Sequence, residues 1–71
     1  MATEVCAEMV ANVVSIVVAA ADEVAAGDTL LVLESMKMEI PVLAENGGTV
    51  AEIRVTEGDV VQEGDVLVVL A

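Results

Sequence analysis

The chain has 71 residues, of which 58% are hydrophobic and none is aromatic, and its formal net charge is −11 at pH 7. With only two Lys or Arg residues it lacks the basic surface that nucleic-acid phosphates and anionic lipids require. A single cysteine and no histidine argue against an intrachain disulfide, a metal site and histidine-based catalysis.

Length and composition predict one small all-β domain covering residues 1–71. A chain of this size is near the lower limit for a core that folds without crosslinks. The core must be built from Val, Leu, Ile, Met and Ala, and β-branched valine suits pleated surfaces. The longest uncharged run, residues 9–21, is shorter than the roughly 20 residues of a membrane-spanning helix. The N-terminus lacks the basic start of a secretory signal, so we expect a cytoplasmic protein without a membrane partner.

In chain order, apolar runs separated by turns predict seven or eight short strands. The longer predicted strands cover residues 3–10, 12–18, 29–34, 38–45, 49–55 and 66–70, and two shorter segments are centred on Val24 and Val61. Such a series of strands predicts a sandwich or a flattened barrel. Cys6 is expected to be a small core residue, because the equivalent position in the second half of the chain holds the hydrophobic residue Leu43.

Two strands carry more specific signals. Residues 38–45 alternate between inward and outward positions with period two. Pro41 lies within this run and cannot donate a ladder hydrogen bond, so the strand is expected at a sheet edge or a bulge. In the run 49–55, the apolar residues Val50, Ile53 and Val55 are spaced three and then two apart, which predicts a bulge or a strong twist rather than a regular strand.

The chain contains an internal duplication. A shift of 37 positions pairs residues 1–34 with residues 38–71, and 14 of the 34 pairs are identical. Only residues 35–37 lack a counterpart. The duplication predicts a quasi-two-fold arrangement in which neither half folds alone, because each half would leave an apolar sheet face exposed. It also predicts that the two termini meet at the end of the molecule opposite Lys37.

Lys37 is the only lysine, and it lies at the join of the two halves between Met36 and Met38. The simplest interpretation is a solubilising lysine at a hairpin tip. Exposed methionines at a turn have little structural purpose, which favours a functional role instead. Catalytic lysines are activated by burial or positive neighbours, whereas an exposed turn beside Glu34 and Glu39 favours the protonated amine. Lys37 is therefore predicted to be a substrate of another enzyme, as in a swinging-arm carrier, and no residue is predicted to be catalytic.

Residues 34–42, ESMKMEIPV, resemble the attachment motif of biotin carboxyl carrier domains, in which the lysine of a Met-Lys-Met turn is modified. The Val-x-x-Gly-Asp-x-Leu-x-x-Leu segments at 24–33 and 61–70 also match this biotinyl/lipoyl attachment family, so the resemblance covers essentially the whole chain. It implies a flattened β-barrel of two four-stranded antiparallel sheets with Lys37 on a hairpin tip. The chain departs from the family at residues 8–11, where a Pro-Met-Pro-Gly-like turn is frequent, and at Ala21, where glycine is frequent.

The resemblance also implies a function. A biotin protein ligase would attach biotin covalently to Lys37, with Met36 and Met38 helping partner enzymes to recognise the site. A biotin carboxylase would then load the biotin with a carboxyl group. A carboxyltransferase would pass that group to an acceptor, often an acyl-CoA of fatty acid metabolism. The carrier itself would be non-enzymatic and monomeric when isolated.

Two other interpretations remain. A lipoyl domain shares the fold, the symmetry and the modified hairpin lysine, but lipoyl sites typically read Asp-Lys-Ala, so Met-Lys-Met favours biotin. An interaction module without a cofactor would make the lysine incidental. An enzyme is disfavoured because the chain offers no plausible nucleophile–base pair and little room for a pocket.

Overall fold

A computed structural model describes residues 2–71, which form eight β-strands. The strands are β1 (Thr3–Cys6), β2 (Ala11–Ile16), β3 (Glu23–Val24), β4 (Thr29–Ser35), β5 (Met38–Leu43), β6 (Gly48–Ile53), β7 (Val60–Val61) and β8 (Val66–Leu70). Residues 2–71 include no helix, and hence none that could span a bilayer.

The strands form two four-stranded antiparallel sheets related by the 37-residue repeat. The terminal sheet has the order β1-β8-β6-β3, and the lysine sheet has the order β5-β4-β2-β7. The shift of 37 positions converts one order into the other, strand for strand. The predicted all-β class, the two four-stranded sheets and the quasi-two-fold symmetry are therefore confirmed.

Four turns of the same design hold the two halves together, at residues 19–22, 25–28, 56–59 and 62–65. In each, the aspartate at the fourth position accepts a hydrogen bond from the backbone N–H of the first residue, at 2.8–2.9 Å. The third residue has a positive φ, and its N–H donates to a carbonyl in the other half of the chain. Gly27 donates to Ala44 at 2.7 Å, and its counterpart Gly64 donates to Ala7 at 2.9 Å. Each half of the chain therefore supplies the carbonyl groups that accept hydrogen bonds from the turns of the other half.

The core between the sheets is entirely apolar, and no buried polar or charged residue occurs among residues 2–71. The most deeply buried large side chains are Val13, Leu30, Leu31, Val50, Leu67 and Val68, which form three pairs under the repeat. Complete burial of such a side chain contributes about 1.5–3 kcal/mol to folding. A core without aromatic residues is thus filled by equivalent aliphatic layers from both halves.

Both of the specific strand predictions are confirmed. Pro41 lies in β5, which is an edge strand of the lysine sheet. An edge strand tolerates proline, because one of its sides needs no N–H donor for a neighbouring strand. In β6 the register against β8 shifts between Val50 and Glu52, which is the predicted irregularity. The equivalent shift occurs in β2 between Val13 and Ser15.

Two predictions for the first strand are wrong. The strand ends at Cys6 and not at residue 10, because its partner β8 begins at Val66, opposite Cys6. Cys6 is exposed on the rim of a cleft of about 440 Å³ between β1 and β5, whereas its neighbour Ala7 is buried. Its repeat counterpart Leu43 is also exposed, at 47%, so the two positions are alike and the error was to assume that a hydrophobic residue at this position is buried.

The termini lie together, away from Lys37. Thr3 is paired with Leu70, and Ala71 exchanges two backbone hydrogen bonds with Thr49 of β6. The chain enters β6 directly from the base of the β4–β5 hairpin, whereas Lys37 lies at the tip of that hairpin. The duplication thus predicted the position of the termini correctly.

Candidate functional site

The lysine is carried by the tightest possible hairpin connection. Ser35 and Met38 form the closing pair of β4 and β5, so only Met36 and Lys37 lie in the turn. Their φ values are 53° and 65°, the left-handed values of a type I′ turn. This turn matches the twist of the flanking strands but normally selects Asn-Gly, because a side chain in this region costs about 1–2 kcal/mol. The six-pair register of the hairpin imposes the strained conformation.

The three residues singled out from the sequence are together at the tip, and all are exposed. Met36 is 91% exposed and Met38 is 65% exposed, so neither folds back onto the core. Within residues 2–71 the ion pair below 4.0 Å is that of Arg54 with Glu52, at 3.3 Å on β6, and it does not involve Lys37. The Lys37 amine therefore extends into solvent.

The surrounding groups limit what this amine can do chemically. Glu34 and Glu39 are paired across the hairpin one step below the tip, and both are exposed. No group of three or more metal-ligating side chains occurs among residues 2–71. The arrangement presents a sterically open nucleophile with no base of its own, which suits acylation by an external enzyme.

Sequence reasoning placed Lys37 in a tight turn between two strands, as the structure shows, but missed the backbone conformation of that turn. The tight turn was expected, whereas the left-handed φ at both Met36 and Lys37 was not. The available signal was the length of the connection. A two-residue link between paired strands selects type I′ or II′ geometry whatever residues occupy it.

A symmetric barrel that exposes a single lysine on a strained hairpin defines an attachment domain of the swinging-arm type. The chain belongs to the biotin/lipoyl family, described as Biotin-requiring enzyme, whose sequence profile matches residues 1–70. The resemblance inferred from the ESMKMEIPV segment is thereby confirmed at the level of the family.

Two relatives match along most of their length. A biotinylated protein TB7.3 homolog of Mycobacterium leprae is 51% identical over 71 residues, covering 100% of both chains. A biotin/lipoyl attachment protein of Bacillus subtilis is 45% identical over 64 residues, covering 90% of this chain and 88% of that protein.

Among solved structures, a single-chain, multi-domain long-chain acyl-CoA carboxylase matches with a TM-score of 0.93 and 31% identity. The match covers 99% of this chain but 7% of the carboxylase. The chain thus corresponds to one small part of that enzyme, and the similarity extends to the architecture of this part alone.

Proposed function

We propose that this protein is a biotin carboxyl carrier and that Nζ of Lys37 holds biotin through an amide bond. The observation that carries the proposal is the position of the only lysine. It is exposed on a strained Met-Lys turn in a domain of this family. The relative from Mycobacterium leprae is described as a biotinylated protein, which supports biotin as the group. The open tip leaves room for an attached group and for the enzyme that attaches it.

Attachment is an acyl transfer to the lysine. A biotin protein ligase supplies biotin as an acyl adenylate, made from biotin and ATP with release of pyrophosphate. The neutral amine of Lys37 attacks the acyl carbon, the bond to AMP breaks, and one proton leaves the nitrogen. The ligase must accept that proton, because the carboxylates near Lys37 are exposed and make no contact with the amine below 4.0 Å.

The contribution of the chain to the later steps is placement. When bound, biotin carries a carboxyl group between a biotin carboxylase and a carboxyltransferase. The rigid hairpin holds the base of the arm, and the lysine stem with the biotin side chain reaches on the order of 12–15 Å beyond the backbone. Tethering raises the effective concentration of the reactive group at both enzymes, and the carrier makes no bond itself.

The proposed carboxylase partners are supported by similarity to a solved structure and not by a contact in this molecule. The similarity to part of a long-chain acyl-CoA carboxylase supports a carboxylase system and favours an acyl-CoA acceptor. The charge of −11 opposes self-association, which supports a monomeric carrier.

A lipoyl carrier is the second candidate, because the relative from Bacillus subtilis is described as a biotin/lipoyl attachment protein. The Met-Lys-Met sequence at the turn favours biotin over lipoate.

The test is intact mass after incubation with biotin, ATP and a purified biotin protein ligase, for wild type and Lys37→Arg. The arginine variant keeps the charge and removes the acylatable amine. We expect one biotinyl increment on wild type and none on the variant. No increment on wild type, or an increment given only by lipoate with a lipoyl ligase, would overturn the biotin assignment. An increment on Lys37→Arg would overturn the site.

A further inference from the structure

The large apolar side chains that remain exposed lie on or beside the lysine sheet. Eight are exposed among residues 2–71: Met9, Val10, Val14, Val17, Met36, Met38, Leu43 and Val60. All of them lie on the lysine sheet or directly beside one of its strands. Scattered exposed apolar residues are normal on a protein surface, but such one-sided placement is not required by folding.

Strand register and chain order together place five of them at the end that carries Lys37. Asn12 of β2 is paired with Glu34 on one side and with Val60 on the other. Val60 is therefore level with the Glu34–Glu39 pair, one step below the tip. Val10 precedes β2 and so continues past this level towards the tip, with Met9 beside it. We name Met9, Val10, Met36, Met38 and Val60 the lysine-end collar.

The internal repeat provides a control for the collar. The counterparts of Met9, Val10 and Val60 at the opposite end of the molecule are Asn46, Gly47 and Glu23, which are polar or lack a side chain. The two halves have the same topology, so the fold accepts polar or small residues at these positions. Val10 and Val60 are 63% and 66% exposed, and burial in the core does not explain them.

The charges beside the collar indicate what would cover it. Exposed carboxylates of Glu8, Glu34, Glu39 and Asp59 adjoin the collar residues in the chain or across the sheet, and Lys37 is the cation in this region. The other cation of the chain, Arg54, follows β6 of the terminal sheet and is paired with Glu52. A complementary surface therefore has an apolar centre and a rim of Lys and Arg.

The reach of the Lys37 side chain, before and after modification, indicates which enzyme must contact the collar. Before modification, the amine lies only about 6 Å from the Cα of Lys37, so the enzyme that acylates it must touch the end of the domain. Enzymes acting on the attached biotin reach it at the full extension of the arm, about twice as far away. We propose, on the basis of the function proposed above, that the collar is the docking surface for the biotin protein ligase. Val10 and Val60 then determine recognition together with the two methionines of the turn.

The experiment compares two double variants as acceptors for a purified biotin protein ligase with biotin and ATP. Val10→Thr/Val60→Thr changes the collar without altering net charge or β-branching. Val14→Thr/Val17→Thr is the matched control, because both valines are exposed on the same side of the molecule but lie farther from the tip. Thermal unfolding and far-UV circular dichroism check that both variants fold.

We expect the collar variant to raise the KM for the carrier and to lower kcat/KM about tenfold, with the control within about twofold of wild type. Equal kcat/KM for the collar variant and wild type would overturn the proposal, as would equal losses in collar and control. A collar variant that is acylated normally but carboxylated slowly by a biotin carboxylase would assign the surface to that enzyme instead. Absence of any increment on wild type would count against the proposed function, a distinct result.

Discussion

Ala21 and Gly58 occupy equivalent turn positions, and both have a left-handed backbone, with φ values of 76° and 95°. Each donates its N–H to the other half of the chain, Ala21 to the carbonyl of Val50 at 2.7 Å and Gly58 to that of Val13 at 2.8 Å. The turn requires this conformation in both halves, but only Ala21 carries a Cβ there. One of the four inter-half turns is therefore strained by its residue type.

Replacing Ala21 with glycine should stabilise the protein. Relief of the left-handed alanine exceeds the extra entropy of glycine in the unfolded chain, and we expect a net gain of about 0.5–1 kcal/mol. The midpoint of thermal unfolding would rise by a few degrees, since about 1 kcal/mol shifts it by roughly 4–8 °C in a domain of this size. Ala20→Gly, at an exposed neighbour without a positive φ, is the control and should lower stability. A lower midpoint for Ala21→Gly than for wild type would contradict the assignment of strain.

The same effect of a Cβ in a left-handed conformation should appear at Lys37, the proposed attachment residue. Lys37 has a φ of 65°, so Lys37→Gly should be more stable than Lys37→Ala by about 1 kcal/mol in chemical denaturation. Both variants lose the amine, and the comparison isolates the Cβ. The expected result would mean that a lysine at the proposed attachment position lowers the stability of the protein. A glycine variant less stable than the alanine variant would show that the turn is unstrained.

The methionines beside Lys37 should act in recognition and not in folding. Met36→Leu/Met38→Leu keeps the exposed apolar area at the tip, so the unfolding midpoint should stay within about 2 °C of wild type. We expect slower ligation or slower carboxylation, measured by intact mass and by carboxylase turnover, because leucine is branched and less adaptable than methionine. Leu43→Met, at the base of β5, is the control. Unchanged rates in both assays would contradict the proposed role of the two methionines in recognition.

A chain of residues 1–34 should be unfolded by itself. Within this half only β2 and β4 pair with each other, because β1 pairs with β8, β3 with β6, and β2 also with β7. An isolated two-stranded ribbon is at best marginally stable in water. Circular dichroism and proton chemical-shift dispersion should show a disordered chain. An ordered spectrum from this half alone would contradict the account of inter-half turns.

The exposed thiol should be dispensable for folding. Cys6→Ser replaces a solvent-facing side chain and is expected to change the free energy of unfolding by less than about 0.5 kcal/mol. Leu67→Ala, at a fully buried position, serves as the contrast and should cost about 2–5 kcal/mol. A large loss of stability for Cys6→Ser would restore the prediction of a core cysteine.

The patterns that repeat along the chain predicted most of the architecture. The alternation around Pro41 identified an edge strand, and the spacing of Val50, Ile53 and Val55 identified the irregularity in β6. Both signals are local, because side-chain period and the missing N–H of proline depend only on neighbouring residues. The duplication added a non-local constraint, from which the quasi-two-fold symmetry and the meeting of the termini followed.

The sequence by itself determined the all-β class, the two equivalent halves and the position of Lys37 at their join. These features follow from the side-chain period, the internal repeat and the identity of single residues. Only the tertiary structure decided that Cys6 faces solvent, that Met36 and Lys37 are left-handed, and that Val10 and Val60 lie at the same end of the sheet as the lysine. Each of these depends on which strand lies next to which and in what register. Register is set by pairing residues far apart in the chain and by the burial of one sheet face, which no local pattern encodes.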